Sequence, residues 1–322
     1  MSKDLFFEAD HPITSLERLR LLDIPVFSTI PELADLMHID YSRLDIYVKK
    51  ARHFYRKFNI PKKSGGARCI YQPSKELKAI QSWILRSILE RLNPSSVATA
   101  FRVGTGLLHN VLPHKDNRYF ICLDIENFFP SISRSRVWRI FHLAGYDPLP
   151  AWILASLCTC DGILPQGGVT SPALSNLVAS KLDRRLNGLA SCRNITYTRY
   201  ADDMTFSSNN RTALMKSLSL TANIVESEGF ALNTAKTRVM GPKVQCRITG
   251  LTKNSAEPRF AVGRKKKRQM RAVIQHMSRG EFPDGSYPTK NSIRGWMAYL
   301  SSVDKLSHAQ MVRYSRTRGV VF

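Results

Sequence analysis

The sequence predicts an α+β or α/β fold with helices packed behind a central sheet, and three observations carry that expectation. Short apolar runs at Tyr119–Asp124 and within Ile195–Ser207 have the length and residue types of buried strands. Leu77, Ile80, Trp83, Ile84, Ile88 and Leu92 recur at helical spacing, and Leu214–Ser227 is amphipathic at the same period. Strands and helices alternate along the centre of the chain, which places the helices on one side of a sheet. A hydrophobic content of 43% over 322 residues suffices for two or three lobes.

Taken in order, Ser15–Tyr55 reads as short helices broken by Pro25 and Pro31. Lys62 to Arg68 is a basic turn between two strand-like runs, with Gly65-Gly66 marking a hairpin tip. A helix over Lys75–Leu92 follows and ends before Pro94. After the strand Tyr119–Asp124, Ser171 is expected to cap a helix with Pro172 in its first position, running through Leu174, Leu177, Val178 and Leu182. Ile195–Ser207 reads as strand, tight turn and strand, with Ala201-Asp202-Asp203 at the turn. Gly229 closes the helix over Leu214–Ser227. Beyond about Pro258 the composition shifts. A basic helix from Arg264 to Met277, a Gly/Pro-rich loop over Gly280–Pro288 and a last helix over about Ser292–Ser302 form a separate C-terminal lobe.

The formal charge of +23, from 48 Lys and Arg against 25 acidic residues, points to a polyanionic partner. Each phosphate neutralised releases condensed counterions and adds affinity. No secretion signal or membrane-length apolar run is visible, so neither secretion nor membrane spanning is expected. Of six cysteines only Cys158 and Cys160 are close, which does not make a zinc site. Most of the six are expected to be buried thiols, in a reducing, cytoplasmic compartment.

The residues that carry chemistry are Asp124, at the end of an apolar strand, and the pair Asp202-Asp203 at a hairpin turn. A charge at a buried strand end is costly unless something pairs with it. Asp-Asp alone is ordinary turn chemistry. Flanked by apolar strands and joined by a third strand-end carboxylate, it suits a divalent cation instead, because clustered carboxylates repel until one binds. Hard oxygen donors of this kind suit Mg²⁺, and two such ions can activate a 3′-hydroxyl and stabilise departing pyrophosphate.

These residues resemble reverse transcriptases. Tyr200-Ala201-Asp202-Asp203 is similar to their YxDD box, and Asp124-Ile125-Glu126-Asn127-Phe128-Phe129-Pro130-Ser131 to their first aspartate motif. Leu164-Pro165-Gln166-Gly167, Thr170-Ser171-Pro172 and Leu232-Asn233 with Lys236-Thr237 resemble the motifs between and after them, in family order. The resemblance implies a right-hand α+β polymerase: fingers, a palm of antiparallel sheet backed by helices, and a short helical thumb. It implies Asp124, Asp202 and Asp203 as catalytic residues and, with the Ile125 carbonyl, as ligands of two Mg²⁺. It implies a nucleotide pocket of Phe129, Gln166 and Lys236, with Arg68 and the weaker candidate Lys63 reaching triphosphate from the fingers hairpin. Phe129 occupies the place of a steric gate against ribose, although a core phenylalanine would suit Phe128 better. Lys236 could equally be an exposed lysine.

Within the family the resemblance is nearest to bacterial retron enzymes and covers nearly the whole chain. Asn110-Val111-Leu112-Pro113-His114 is similar to the retron NAxxH box with Val111 in place of Ala. Ile248-Thr249-Gly250 is similar to the VTG box with Ile248 in place of Val. The implied division is an N-terminal helical region (1–60), fingers (61–118), palm (119–257, with part of the fingers around Ile163–Leu182) and an RNA-binding thumb (258–322). The implied function is copying a cognate structured non-coding RNA into multicopy single-stranded DNA (msDNA) from dNTPs, primed by a guanosine 2′-hydroxyl. A role in anti-phage defence and a toxic effector protein as partner are implied as well. Expected RNA contacts are Asn110, His114, Thr249, Gly250, Arg264, Lys265, Lys266, Lys267, Arg268 and Arg271. His114 could instead be a structural histidine, and the basic run a solvated helix. Rival assignments are a group II intron or diversity-generating reverse transcriptase, or a catalytically idle RNA-binding scaffold.

Overall fold

The structure, a computed structural model, describes residues 14–61, 65–254, 259–280 and 290–321. The described residues open with three short helices, α1 (Ser15–Leu21), α2 (Ile30–Met37) and α3 (Tyr41–Lys50). Each starts on a capping side chain. Thr14 and Glu17 form a reciprocal capping box, Thr29 accepts from the Glu32 N–H, and Asp40 from the Arg43 N–H. Pro31 does not break a helix as expected. It lies in the first turn of α2, where its missing N–H costs nothing.

A hairpin follows, β1 (Tyr55–Pro61) and β2 (Ala67–Pro73), in register from Tyr55 opposite Pro73 to Pro61 opposite Ala67. Ser74 then caps α4 (Lys75–Ser87). This helix stops short of the expected Leu92. Ile88 leaves the helical region at φ −121°, and Leu89–Arg91 form a 3₁₀ turn that still buries Ile88, Leu89 and Leu92.

The central sheet has the order β4-β5-β3-β6, all antiparallel: β3 (Tyr119–Asp124), β4 (Thr196–Tyr200), β5 (Asp203–Ser208) and β6 (Arg238–Met240). Between the Leu89–Arg91 turn and β3 lie the short α-helix α5 (Leu107–Val111) and a 3₁₀ turn at Leu112–His114. Between β3 and β4 lie α6 (Arg134–Ala144), α7 (Pro148–Cys158), α8 (Ser171–Val178) and α9 (Ser180–Ser191). α10 (Arg211–Ser227) then packs on the sheet. The expected single helix from Ser171 through Leu182 is two helices. Thr170, not Ser171, is the cap, and the break falls at Ala179, beside a Ser180 hydroxyl that donates to the Asn176 carbonyl at 3.0 Å.

The C-terminal lobe pairs a small antiparallel sheet, β7 (Arg247–Ile248), β8 (Leu251–Lys253) and β9 (Phe260–Val262), with α11 (Arg264–Ser278), α12 (Lys290–Val303) and α13 (Lys305–Arg316). The expected final helix is therefore followed by another. Asp304 starts α13 by accepting from the Ser307 N–H at 3.1 Å, while its other oxygen accepts from the Val262 N–H at 3.2 Å. Buried Ser307 and Ser315 blur the apolar stripe of α13, which left it unread in the sequence.

Two apolar cores result. One gathers α1–α4, α6–α10 and one face of β3, through Ile121 and Leu123. The other is the C-terminal lobe closed against the opposite face of the same strand, through Phe120 and Cys122, and against Val111.

Candidate active site

Asp124 ends β3 and lies directly opposite Asp203, the first residue of β5. Asp202 stands in the two-residue turn between β4 and β5, whose first residue, Ala201, is left-handed at φ +58°. The Ile125 N–H donates to the Asp202 carbonyl at 2.9 Å, tying the turn to the end of β3. Asp124 and the adjacent pair Asp202-Asp203, far apart in sequence, thus meet at one end of the central strands. Burial first, then the Asp124 charge, raises the pKa of Asp202. Burial, then Asp202 and Asp124, pushes Asp203 up to about 6.

Lys236 answers this repulsion. Its Nζ donates to both Asp124 oxygens, at 3.0 and 2.9 Å, and those bonds raise its own pKa. Among the described residues no three acidic, Cys or His side chains already stand in a metal-ligand arrangement. The donor set nevertheless fits a hard divalent cation. It is all oxygen, partly buried and electrostatically uncomfortable without a positive charge.

The expected nucleotide-side residues lie on separate elements. Phe129 is half-buried, 5.6 Å from the Phe128 ring and 6.3 Å from Phe101, whereas Phe128 is core. Gln166 lies on the loop before α8, and its carbonyl accepts from the Tyr71 N–H of β2 at 2.9 Å. Gly167 has to be glycine there, because at φ +122° a Cβ would lie 2.8 Å from the Tyr71 carbonyl. Buried Gln81 braces the loop from behind, accepting from the Val169 N–H and donating to the Leu157 carbonyl. Arg68 is exposed on β2 and lowers the pKa of Asp202 electrostatically, which places it on the same side. Lys63 lies outside the described residues.

Asn110 and His114 correct the expectation of direct RNA contact, because both side chains are fully enclosed. Asn110 Oδ1 accepts from the hydroxyls of Thr99 and Thr198 at 3.1 and 2.8 Å, and its Nδ2 donates to Thr249 Oγ1 at 3.3 Å. His114 Nδ1 lies 2.6 Å from Ser207 Oγ and Nε2 2.8 Å from Thr198 Oγ1, and burial drives its pKa down to about 3. Together they fasten α5 and the turn after it to β4 and β5. Thr249 and Gly250, at φ +43° and +88°, form a tight turn between β7 and β8 of the mirror-image kind that favours glycine.

That turn faces a void of about 370 Å³ shared with Tyr200, Asp203, Arg238 and Arg247. Arg238 and Arg247 escaped the sequence reading because neither sits in a motif. Arg238 enters the site through the short edge strand β6, beside Cys122 of β3. The basic run on α11 is split by helix geometry, since successive residues turn about 100° apart. Arg264, Lys265, Arg268 and Arg271 are exposed. Lys266 and Lys267 are half-buried and have internal partners: Lys266 Nζ lies 3.2 Å from the Trp296 ring centre, and Lys267 Nζ donates to Ser307 at 3.1 Å.

Residues 60–253 match the family described as reverse transcriptase (RNA-dependent DNA polymerase). The chain is 36% identical to the retron Ec86 reverse transcriptase of Escherichia coli over 92% of its own length and 91% of that protein's. The chain belongs to the retron reverse transcriptases. The retron Mx65 reverse transcriptase of Myxococcus xanthus is 33% identical over 92% of the chain and 73% of its own length. The retron Ec73 reverse transcriptase of Escherichia coli is 30% identical over 80% and 86%. As a retron reverse transcriptase the protein is an RNA-directed DNA polymerase with a right-hand fold, and polymerases of this family work with divalent metal ions. No helix among the described residues is long and apolar enough to cross a membrane.

Proposed function

We propose that Asp124, Asp202 and Asp203, with the Ile125 carbonyl, hold two Mg²⁺ ions and carry out nucleotidyl transfer on a cognate retron RNA. The observation that carries this reading is the pairing of Asp124 with Asp203 across β3 and β5, with Asp202 bonded to Ile125 between them. Bound ions supply Lewis-acid activation of the attacking hydroxyl and charge neutralisation at the departing pyrophosphate. The chain's own residues do the rest. Phe129 presents a ring where a ribose 2′-hydroxyl would clash, Gln166 lines the nucleotide side, and Arg68 offers a planar fork to triphosphate oxygens. Lys63 is retained as a second cation of the same hairpin. Lys236, already bonded to Asp124, can hand a proton to a leaving phosphate.

Residues 61–118 act as fingers, 119–257 as palm and 258–322 as an RNA-binding thumb in this reading. The exposed Arg264, Lys265, Arg268 and Arg271 face phosphate, and the Thr249-Gly250 turn faces the nucleic acid beside Asp203. Priming from a guanosine 2′-hydroxyl, an msDNA product, an effector protein and a cytoplasmic role in phage defence complete the proposal. They are supported by kinship to retron enzymes rather than by any single contact.

The test is dNTP incorporation on an RNA template with Mg²⁺. Asp202→Asn is expected to lose synthesis by about a thousandfold, a loss of roughly 4 kcal/mol of transition-state stabilisation, with RNA binding kept. Parental activity in that variant rejects the site.

A further inference from the structure

Directly beneath the Asp202 turn lies an ion pair that the polymerase reading leaves unexplained. Arg199 on β4 and Asp183 on α9 are both 0% exposed. The guanidinium grips the carboxylate as a fork, Nε to Oδ1 at 2.8 Å and Nη2 to Oδ2 at 2.6 Å. The Tyr197 hydroxyl donates to the same carboxylate at 2.9 Å. Stability alone does not account for such a pair. Taking two charges out of water is costly, and apolar replacements of similar volume are often neutral or stabilising.

What an apolar pair could not do is served by the remaining guanidinium nitrogen. Nη1 donates to the Ala201 carbonyl at 3.0 Å and to Asn176 Oδ1 at 3.1 Å. Ala201 is the left-handed residue of the catalytic turn, a conformation unfavourable for any residue with a Cβ. Its carbonyl belongs to the peptide unit that leads into Asp202. Asn176 lies on α8, the helix that follows the Gln166 loop, and its Nδ2 donates to the Ala100 carbonyl at 2.7 Å. The guanidinium also lies 5.7 Å from the centre of the Phe128 ring, next to Phe129. One side chain therefore touches the Asp202 turn, the segment after Asp124 and the helix behind Gln166. Asp183 cancels its charge, so the net field it adds at the carboxylates is small. Its contribution is geometric.

We propose that Arg199 is a positioning residue for nucleotidyl transfer. Held by Asp183, it fixes the Ala201 carbonyl and so the direction in which the turn presents Asp202. This rests on the reading of Asp202 as a metal-binding catalytic residue.

The test compares the full-length parent with the double variant Asp183→Leu/Arg199→Met and with Arg199→Lys. Thermal midpoint, RNA affinity, kcat and KM for dNTP, and Mn²⁺ binding by electron paramagnetic resonance are measured on each. The double variant is expected to fold and keep its RNA affinity, at a thermal midpoint lowered because the Tyr197 hydroxyl, Asn176 Oδ1 and the Ala201 carbonyl lose buried partners. Its kcat is expected to fall about a hundredfold, the scale of a misplacement of roughly 1 Å, with weaker Mn²⁺ binding. Arg199→Lys keeps the charge but cannot span Asp183, Asn176 and Ala201 together, so it is expected to lose kcat as well. Parental kcat and Mn²⁺ affinity in the folded double variant overturn the proposal. Should that variant not fold, Arg199→Lys decides by the same two outcomes. Asp202→Asn is run alongside: if it too is fully active, the failure belongs to the site reading and not to Arg199.

Discussion

The Lys236 ammonium donates to both oxygens of the Asp124 carboxylate, so a side chain of this protein sits where a cation would be expected. Lys236 is more than half exposed, which keeps the bond weak enough to yield. Lys236→Met is therefore expected to bind Mg²⁺ or Mn²⁺ severalfold more tightly while its kcat falls, because the proton donor is gone. Calorimetric metal titration of the two proteins checks this. Unchanged affinity removes the idea that Lys236 competes with metal.

Phe129 is half-buried between the rings of Phe101 and Phe128, and Phe128 itself fills the core. Phe129→Ala is expected to raise rNTP incorporation relative to dNTP by at least about tenfold, a difference near 1.4 kcal/mol. The fold should survive, since removing the ring leaves a partly open pocket rather than a closed cavity. Phe128→Ala should instead lower the thermal midpoint, costing about 3–5 kcal/mol.

His114 has its pKa lowered from 6.5 to about 3 by burial. Below about pH 6.5 the unfolded chain binds a proton that the fold refuses. Stability from this residue is complete above that pH and is lost as pH falls towards 3, by up to about 1.4 kcal/mol per pH unit. Denaturant melts between pH 7 and 5 should show the decline, and His114→Asn, though less stable throughout, should show a flatter one. Equal slopes would contradict the assignment.

Neutralising Arg264, Lys265, Arg268 and Arg271 is expected to weaken RNA binding and to flatten its salt dependence, by roughly 0.7–0.9 in slope for each phosphate left without its cation. Lys266→Met should act differently. It removes the cation from the face of Trp296, so it should loosen the lobe by about 0.5–2 kcal/mol and leave the salt slope alone. An equal slope change from both would show that the two faces of α11 are not distinct.

The strands at the centre were legible because their patterns are local. Tyr119–Asp124 is apolar to its last residue, and the turn around Ala201 is flanked by clear strands. The α8–α9 break falls within a stretch whose apolar spacing runs on through Leu182, and buried Ser307 and Ser315 interrupt the apolar stripe of α13, so neither feature shows in the pattern. At the site, Asp124, Asp202 and Asp203 stood out by motif. Arg199 did leave a signal, a charge on the same strand face as Tyr197 inside a buried run, but its partner Asp183 lies 16 residues earlier on another element. For His114 the burial supports the structural alternative, and for Asn110 it overturns the expected RNA contact, since sequence does not reveal which polar side chains point inward.

β3 lends alternate side chains to two separate cores, Ile121 and Leu123 to one and Phe120 and Cys122 to the other. This strand has no slack. A single inserted residue between Tyr119 and Asp124 would exchange the two faces, offering each core the other's side chains, and would carry the terminal aspartate away from its place opposite Asp203. Insertions and deletions should therefore be far less tolerable across these six positions than in the loops around them, whatever residues fill them.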